Sequence, residues 1–119
     1  MLTKVFPIKL QPGKQAEAEA IINEFAPKGP KEEPGTLSFR VYRDPAKVDY
    51  LLFVEHFADQ AAYDAHTNSP AYRDLIAGRF SKTIVDFVEI DHELLGRILH
   101  VRKAVRRIAF LTRFSRSKS

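Results

Sequence analysis

Two side chains in this sequence have the type and placement to move protons. His66 follows Ala62 by four residues and stands beside Ala65, on the inward stripe of a helix opening after Asp59. A neutral imidazole there suits general-base work, because its unperturbed pKa lies near 6.5. The alternative is a core-edge histidine satisfied by a backbone carbonyl. Glu55 lies in the apolar run from Tyr50 to Phe57. A carboxylate in a covered strand needs a partner, since an unpaired buried charge is costly. It could orient His66 or meet a substrate hydroxyl, or it could simply pair with Arg40 or Arg43 of the preceding strand, the commoner fate of a buried acid. Tyr42, Phe57, Tyr63 and Tyr72 could wall an aromatic pocket between helix and sheet, although aromatics at such spacings are more often plain core. His56 points away from Glu55 and reads as an interface or surface residue.

The elements that must position these groups follow from periodicity. Thr3 to Leu10 reads as a first strand with Phe6, Ile8 and Leu10 on one face. Pro7 conflicts with a central place in a sheet, so either it sits at a bulge or a locally unpaired position or the strand is shorter than Thr3 to Leu10. Pro12-Gly13 ends this strand. Gln15 to Ala26 reads as a helix, with Ala18, Ile21, Ile22 and Phe25 at i, i+3, i+4 and i+7. Pro27 stops it, and Lys28-Gly29-Pro30-Lys31 reads as an exposed loop of breakers. Pro34-Gly35 marks a turn in which Gly is expected to supply a positive φ. Thr36 to Tyr42 then alternates Leu37, Phe39 and Val41 against Ser38, Arg40 and Tyr42. After Arg43-Asp44-Pro45, Tyr50 to Phe57 is nearly all apolar, as for a strand covered on both faces. Asp59 can cap the next helix. Ser69 can cap a fresh segment with Pro70 at its first position, and Tyr72, Leu75, Ile76 and Phe80 form its inward stripe. Ile84 to Ile90 is the last strand. The order is βαββαβ: an α+β, ferredoxin-like antiparallel sheet with one helix layer. The opposite sheet face also needs cover, and a second subunit is the economical answer.

Composition sets the outer bounds. The 119 residues suit one domain, marginal enough in buried fraction for oligomerisation to help. The chain holds no Cys, which removes disulfides, thiolate metal sites and thiol nucleophiles. Its start lacks a secretory h-region and no apolar run approaches the ~20 residues of a membrane span, so a cytoplasmic setting is expected. The four His stand at 56, 66, 92 and 100, without the spacing of a metal motif. Charge divides the chain in two. Residues 1–93 carry 11 basic and all 15 acidic side chains, whereas 94–119 carry the other 8 basic residues and no acid. In that second part Leu94, Ile98, Val101, Val105 and Ile108 recur at alternating four and three, a basic amphipathic helical extension. It could pack on a partner subunit or lie on an anionic membrane surface. Nothing beyond its charge points to nucleic acid.

Glu33-Pro34-Gly35 before an aromatic strand, Tyr42-Arg43-Asp44-Pro45, Val54-Glu55-His56-Phe57, Ala65-His66 and Asn68-Ser69-Pro70 recur in one order. Together with Pro12-Gly13-Lys14, they make residues 3 to 93 resemble the antibiotic biosynthesis monooxygenase domain, a dimeric α/β barrel. The resemblance implies a homodimer that oxygenates a quinol-like or polyphenolic compound with dioxygen and without metal or flavin. The substrate anion would give an electron to oxygen directly. His66 and Glu55 would then be catalytic, and Tyr42, Phe57, Tyr63, Tyr72 and Asn68 would contact substrate. Phe57 stands where many relatives have Trp. Haem-degrading cousins carry an Asn on strand one and an axial His late in the second helix, but here those regions read Phe6-Pro7 and Leu75-Ile76. An isomerase or cyclase on the same scaffold, or a non-catalytic binding barrel, are the alternatives.

Overall fold

The computed structural model describes residues 1–93, 95 and 96. Apart from residues 95 and 96, the predicted basic helix over 94–119 lies outside the described residues. Five strands form one antiparallel sheet: β1 (Leu2–Leu10), β2 (Thr36–Asp44), β3 (Lys47–Phe57), β4 (Ile84–Phe87) and β5 (Ile90–His92). The order is β2-β3-β1-β4, with β5 also paired to β1. Helices α1 (Gln15–Phe25) and α3 (Gln60–Thr67) and a π-helix (Tyr72–Arg79) connect the strands. The predicted ferredoxin-like α+β arrangement is therefore the observed one.

The apolar stripe of α1 lands as its spacing dictates, with Ala18, Ile21, Ile22 and Phe25 all buried. They meet Ile8, Leu10, Leu51, Phe53, Leu75 and Phe80 in one core between helices and sheet. Both predicted caps form. Asp59 Oδ1 accepts from the Ala62 amide at 2.8 Å, and Ser69 Oγ accepts from the Tyr72 amide at 3.2 Å.

Pro7 occupies a central strand without forfeiting a ladder bond. Its carbonyl accepts from the Val88 amide, so its donorless nitrogen faces the two-residue break between β4 and β5. The expected single strand over Ile84 to Ile90 is accordingly two shorter strands, interrupted where β1 has no proton to offer.

Other local expectations are corrected. Lys28–Glu32 is a short helix (α2), not a loop. Pro30 falls in its first turn, where backbone donors have no intrahelical partner, so the missing N–H costs nothing. Gly35 does not take a positive φ; among the glycines only Gly13 does, at 81°. Gly35 is needed for closeness instead, because a Cβ there would overlap Ala62 of α3. Leu37 is 52 % exposed and does not share a face with Phe39. Thr36 pairs with Phe57 and Ser38 with His56, so Leu37 is the extra residue of a bulge. In the single chain β3 is buried on one face only: Leu51, Phe53, Glu55 and Phe57 point to the helices, while Tyr50 and Leu52 are exposed. The broad apolar run encodes a second, open sheet face.

Candidate active site

His66 ends up where the stripe of α3 directs it. Its side chain is 1 % exposed, packed beneath the helix against Phe25, Phe57 and Tyr72 at ring distances of 5.1–5.5 Å. Both ring nitrogens meet carboxylates. Nδ1 donates to Glu33 Oε1 at 2.7 Å, and the same oxygen accepts from Thr36 Oγ1 at 2.8 Å. Nε2 lies 3.3 Å from Glu55 Oε1, within ion-pair reach but without a well-directed hydrogen bond. Glu55 itself is 4 % exposed. Its partner is therefore His66, not Arg40 or Arg43; Arg43 pairs with Glu19 of α1 instead.

Opposed forces fix the protonation of this triad. Burial pulls the His66 pKa down, but its close polar contacts with Glu55 and Glu33 and their negative charges more than offset it, leaving it above its ordinary value. Burial pushes Glu55 up, and the neighbouring Glu89 and Glu33 add to this while His66 opposes it. With Nδ1 committed to Glu33, a neutral His66 would turn a bare lone pair toward Glu55. One proton must therefore be held between Nε2 and Glu55, and the two groups titrate as a unit.

A cavity of about 180 Å³ borders this unit. Glu55, His66, Tyr63 and Tyr72 line one part of it, and Phe6, Phe39, Phe53 and Phe80 line much of the remainder. Burial pushes the Tyr63 phenol pKa far above its ordinary range, and its hydroxyl donates to Glu89 at 2.7 Å, which raises the pKa further. Burial likewise raises that of Tyr72. Both phenols are thus donors at neutral pH, not bases. The remaining expected substrate contacts lie elsewhere. Phe57 is fully buried behind His66, Tyr42 is exposed on β2, and Asn68 caps the exposed end of α3, accepting from Arg73 at 3.2 Å. None of these three lines the cavity.

Two participants went unnoticed in the sequence. Glu33 reads there as turn chemistry, and nothing local connects it to a histidine 33 residues away. Lys4 did leave a signal, because it extends the inward series Phe6, Ile8, Leu10 by one step. Only 4 % exposed, it reaches Asp91 at 2.6 Å and Glu89 at 3.7 Å, and lies 4.4 Å above the Tyr63 ring. Among the described residues no group of three His, Asp or Glu converges so as to hold a metal ion, and no helix is long and apolar enough to cross a membrane.

Residues 1–78 match the antibiotic biosynthesis monooxygenase family, and the chain belongs to it. Solved structures named as candidate antibiotic biosynthesis monooxygenases share its fold. One from Bacteroides thetaiotaomicron has TM-score 0.76 and 22 % identity, covering 85 % of this chain and 95 % of its own. One from Caulobacter crescentus has TM-score 0.73 and 23 % identity, covering 80 % and 90 %. A third, from Nitrosomonas europaea, has TM-score 0.74 at only 11 % identity, covering 81 % of this chain and all of its own. An uncharacterised protein of Synechocystis is 30 % identical over 69 residues, 58 % of this chain. The chain spans less than half of that relative's length, 46 %.

Proposed function

We propose that the protein is a cofactor-independent monooxygenase of a small quinol-like or phenolic compound. The observation that supports this most is the buried Glu33–His66–Glu55 triad at the wall of an otherwise apolar cavity. Glu55 would take the substrate's hydroxyl proton, and His66 would hold the positive charge that lets Glu55 cycle between its two states. Desolvation leaves the resulting phenolate electron-rich, able to reduce dioxygen directly. The reaction balances as phenol plus dioxygen giving quinone plus water. One oxygen atom becomes the new carbonyl, and the other leaves with the hydroxyl and ring hydrogens.

The same proposal makes the working unit a cytoplasmic homodimer. Tyr42, Tyr50 and Leu52 are exposed apolar residues on the sheet face away from the helices, the kind of patch a second subunit would cover. The test is oxygen uptake by metal-free protein with a panel of hydroquinones and naphthols, beside His66→Ala and Glu55→Gln. Turnover that collapses in both variants is expected. Uptake equal to the protein-free blank across the panel would defeat the proposal, and turnover without oxygen would point to an isomerase or cyclase.

A further inference from the structure

The strand register gives the cavity a direction. On the helix-facing side of the sheet, Lys4 pairs with Glu55, Phe6 with Phe53 and Ile8 with Leu51. Ile8 also pairs with Phe87 on its other side. Glu55, Phe6, Phe53, Ile8 and Phe87 all line the cavity. From the Glu55 level to the Phe87 level is four residues along β1, roughly 13 Å at the rise of an extended strand. The space therefore runs along β1 from the triad to a rim at Phe87, Ala77 and Ser81, all of which are exposed.

Its two ends differ chemically. At the rim, the Ser81 hydroxyl is engaged with the carbonyls of Ala77 at 2.7 Å and Gly78 at 3.0 Å. At the inner end the Tyr63 hydroxyl is spent on Glu89, and both His66 nitrogens face carboxylates. Glu55 and the Tyr72 hydroxyl remain with capacity to spare; the carboxylate only accepts hydrogen bonds, whereas the phenol can donate or accept. A guest must therefore present a donor to Glu55, and a hydroxyl can at the same time accept from Tyr72. Glu33 and Glu55 flank His66, and Glu89 and Asp91 flank Lys4, so carboxylates outnumber cations around this end and a guest carboxylate would meet a negative field. A volume of about 180 Å³ limits the guest to one ring with a few attached carbons, since apolar cavities of ~150 Å³ hold benzene.

We infer that the cavity takes an uncharged para-alkylated phenol, with its hydroxyl against Glu55 and its alkyl group directed along β1 toward Phe87; with the para carbon occupied, the new carbonyl forms at a ring carbon ortho to the hydroxyl. This deepens the proposed function, and it rests on the cavity being the substrate site. A multi-ring polyphenol would exceed the volume of about 180 Å³ and extend past the rim.

The test is calorimetric titration of the full-length protein under nitrogen with 4-methyl-, 4-ethyl- and 4-propylphenol, and with 4-propylbenzoate as the charged counterpart. Affinity should rise roughly three- to fourfold per methylene as each carbon enters apolar surroundings. The benzoate should bind at least about tenfold more weakly than 4-propylphenol, as expected where an unmatched charge is desolvated. In Ala77→Phe, which narrows the rim from an exposed position, the dependence on chain length should flatten. A flat series in the unaltered protein, equal or tighter binding of the benzoate, an unchanged series in Ala77→Phe, or no binding of any alkylphenol would each overturn the inference. Alkylphenols that bind as expected yet consume no oxygen when air is admitted would refute the oxygenase reading alone. Oxygen-dependent turnover confined to multi-ring or anionic phenols would refute the inference alone.

Discussion

Replacing Glu33 by Gln removes one negative charge from behind His66 while keeping an oxygen that can accept from Nδ1 and from Thr36. The consequence is a change in how stability depends on pH. Folding raises the His66 pKa above its ordinary 6.5, so the stabilisation is fully present below that value and is lost as pH rises through the folded value. Glu55, also raised from its ordinary 4.5, acts in the same direction. Within the His66 window the folded protein holds one more proton than the unfolded chain, so its stability falls by about 1.4 kcal/mol per pH unit. The Glu33 side chain is only 15 % exposed, so its charge is poorly screened by water. A hydrogen bond to a charged partner is worth about 1 kcal/mol more than a neutral one. The variant should therefore be about 1 kcal/mol less stable than the unaltered protein under mildly acidic conditions. The gap should close as pH rises and His66 becomes neutral in both. Urea titrations in half-unit pH steps from mildly acidic to mildly alkaline measure this directly. A constant offset across the range, or a gap that widens with pH, would refute the account of His66 as a cation held by two carboxylates.

Two further substitutions probe the supports of the site. Gly35→Ala forces a methyl group into Ala62 and should cost about 1–3 kcal/mol as overpacking; thermal melts of Gly35→Ala and of Gly35→Ala with Ala62→Gly should show substantial recovery in the double variant. Lys4→Met removes a buried ammonium whose acidic partners are themselves largely open to water, so the stability change should stay within about 1 kcal/mol by urea titration. A loss of several kcal/mol would mean that Lys4 does more than pair with Glu89 and Asp91.

What the sequence disclosed, and what it did not, divides along the range of the interactions. The stripe of α1, the caps at Asp59 and Ser69 and the inward direction of His66 are local, set by residues within one or two turns. Their spacing was enough to read them. The partner of Glu55 depends on which helix lies over β3, and an adjacent-strand arginine was the nearer but incorrect expectation. Gly35 shows the same limit, since its need for a bare Cα comes from Ala62, 27 residues on, rather than from its own turn. Tyr42 and Asn68 had suitable chemistry in a suitable segment, but the strand pleat and the end of α3 place them away from the cavity. Periodicity also hid the asymmetry of β3, because an apolar residue on an open face looks the same in sequence as one that is covered.

The interrupted last strand bears on how copies of this chain can meet. A long, regular sheet edge invites another chain to add a strand, with amyloid-like stacking as the extreme outcome. Here one border is divided into runs of four and three residues by the break that Pro7 accommodates. The other border, β2, carries a bulge at Leu37 and the charged side chains Arg40 and Arg43. Both borders are thus poor templates, although the open sheet face between them is rich in apolar side chains. Pro7 in this light helps to guard the chain against runaway edge-to-edge growth.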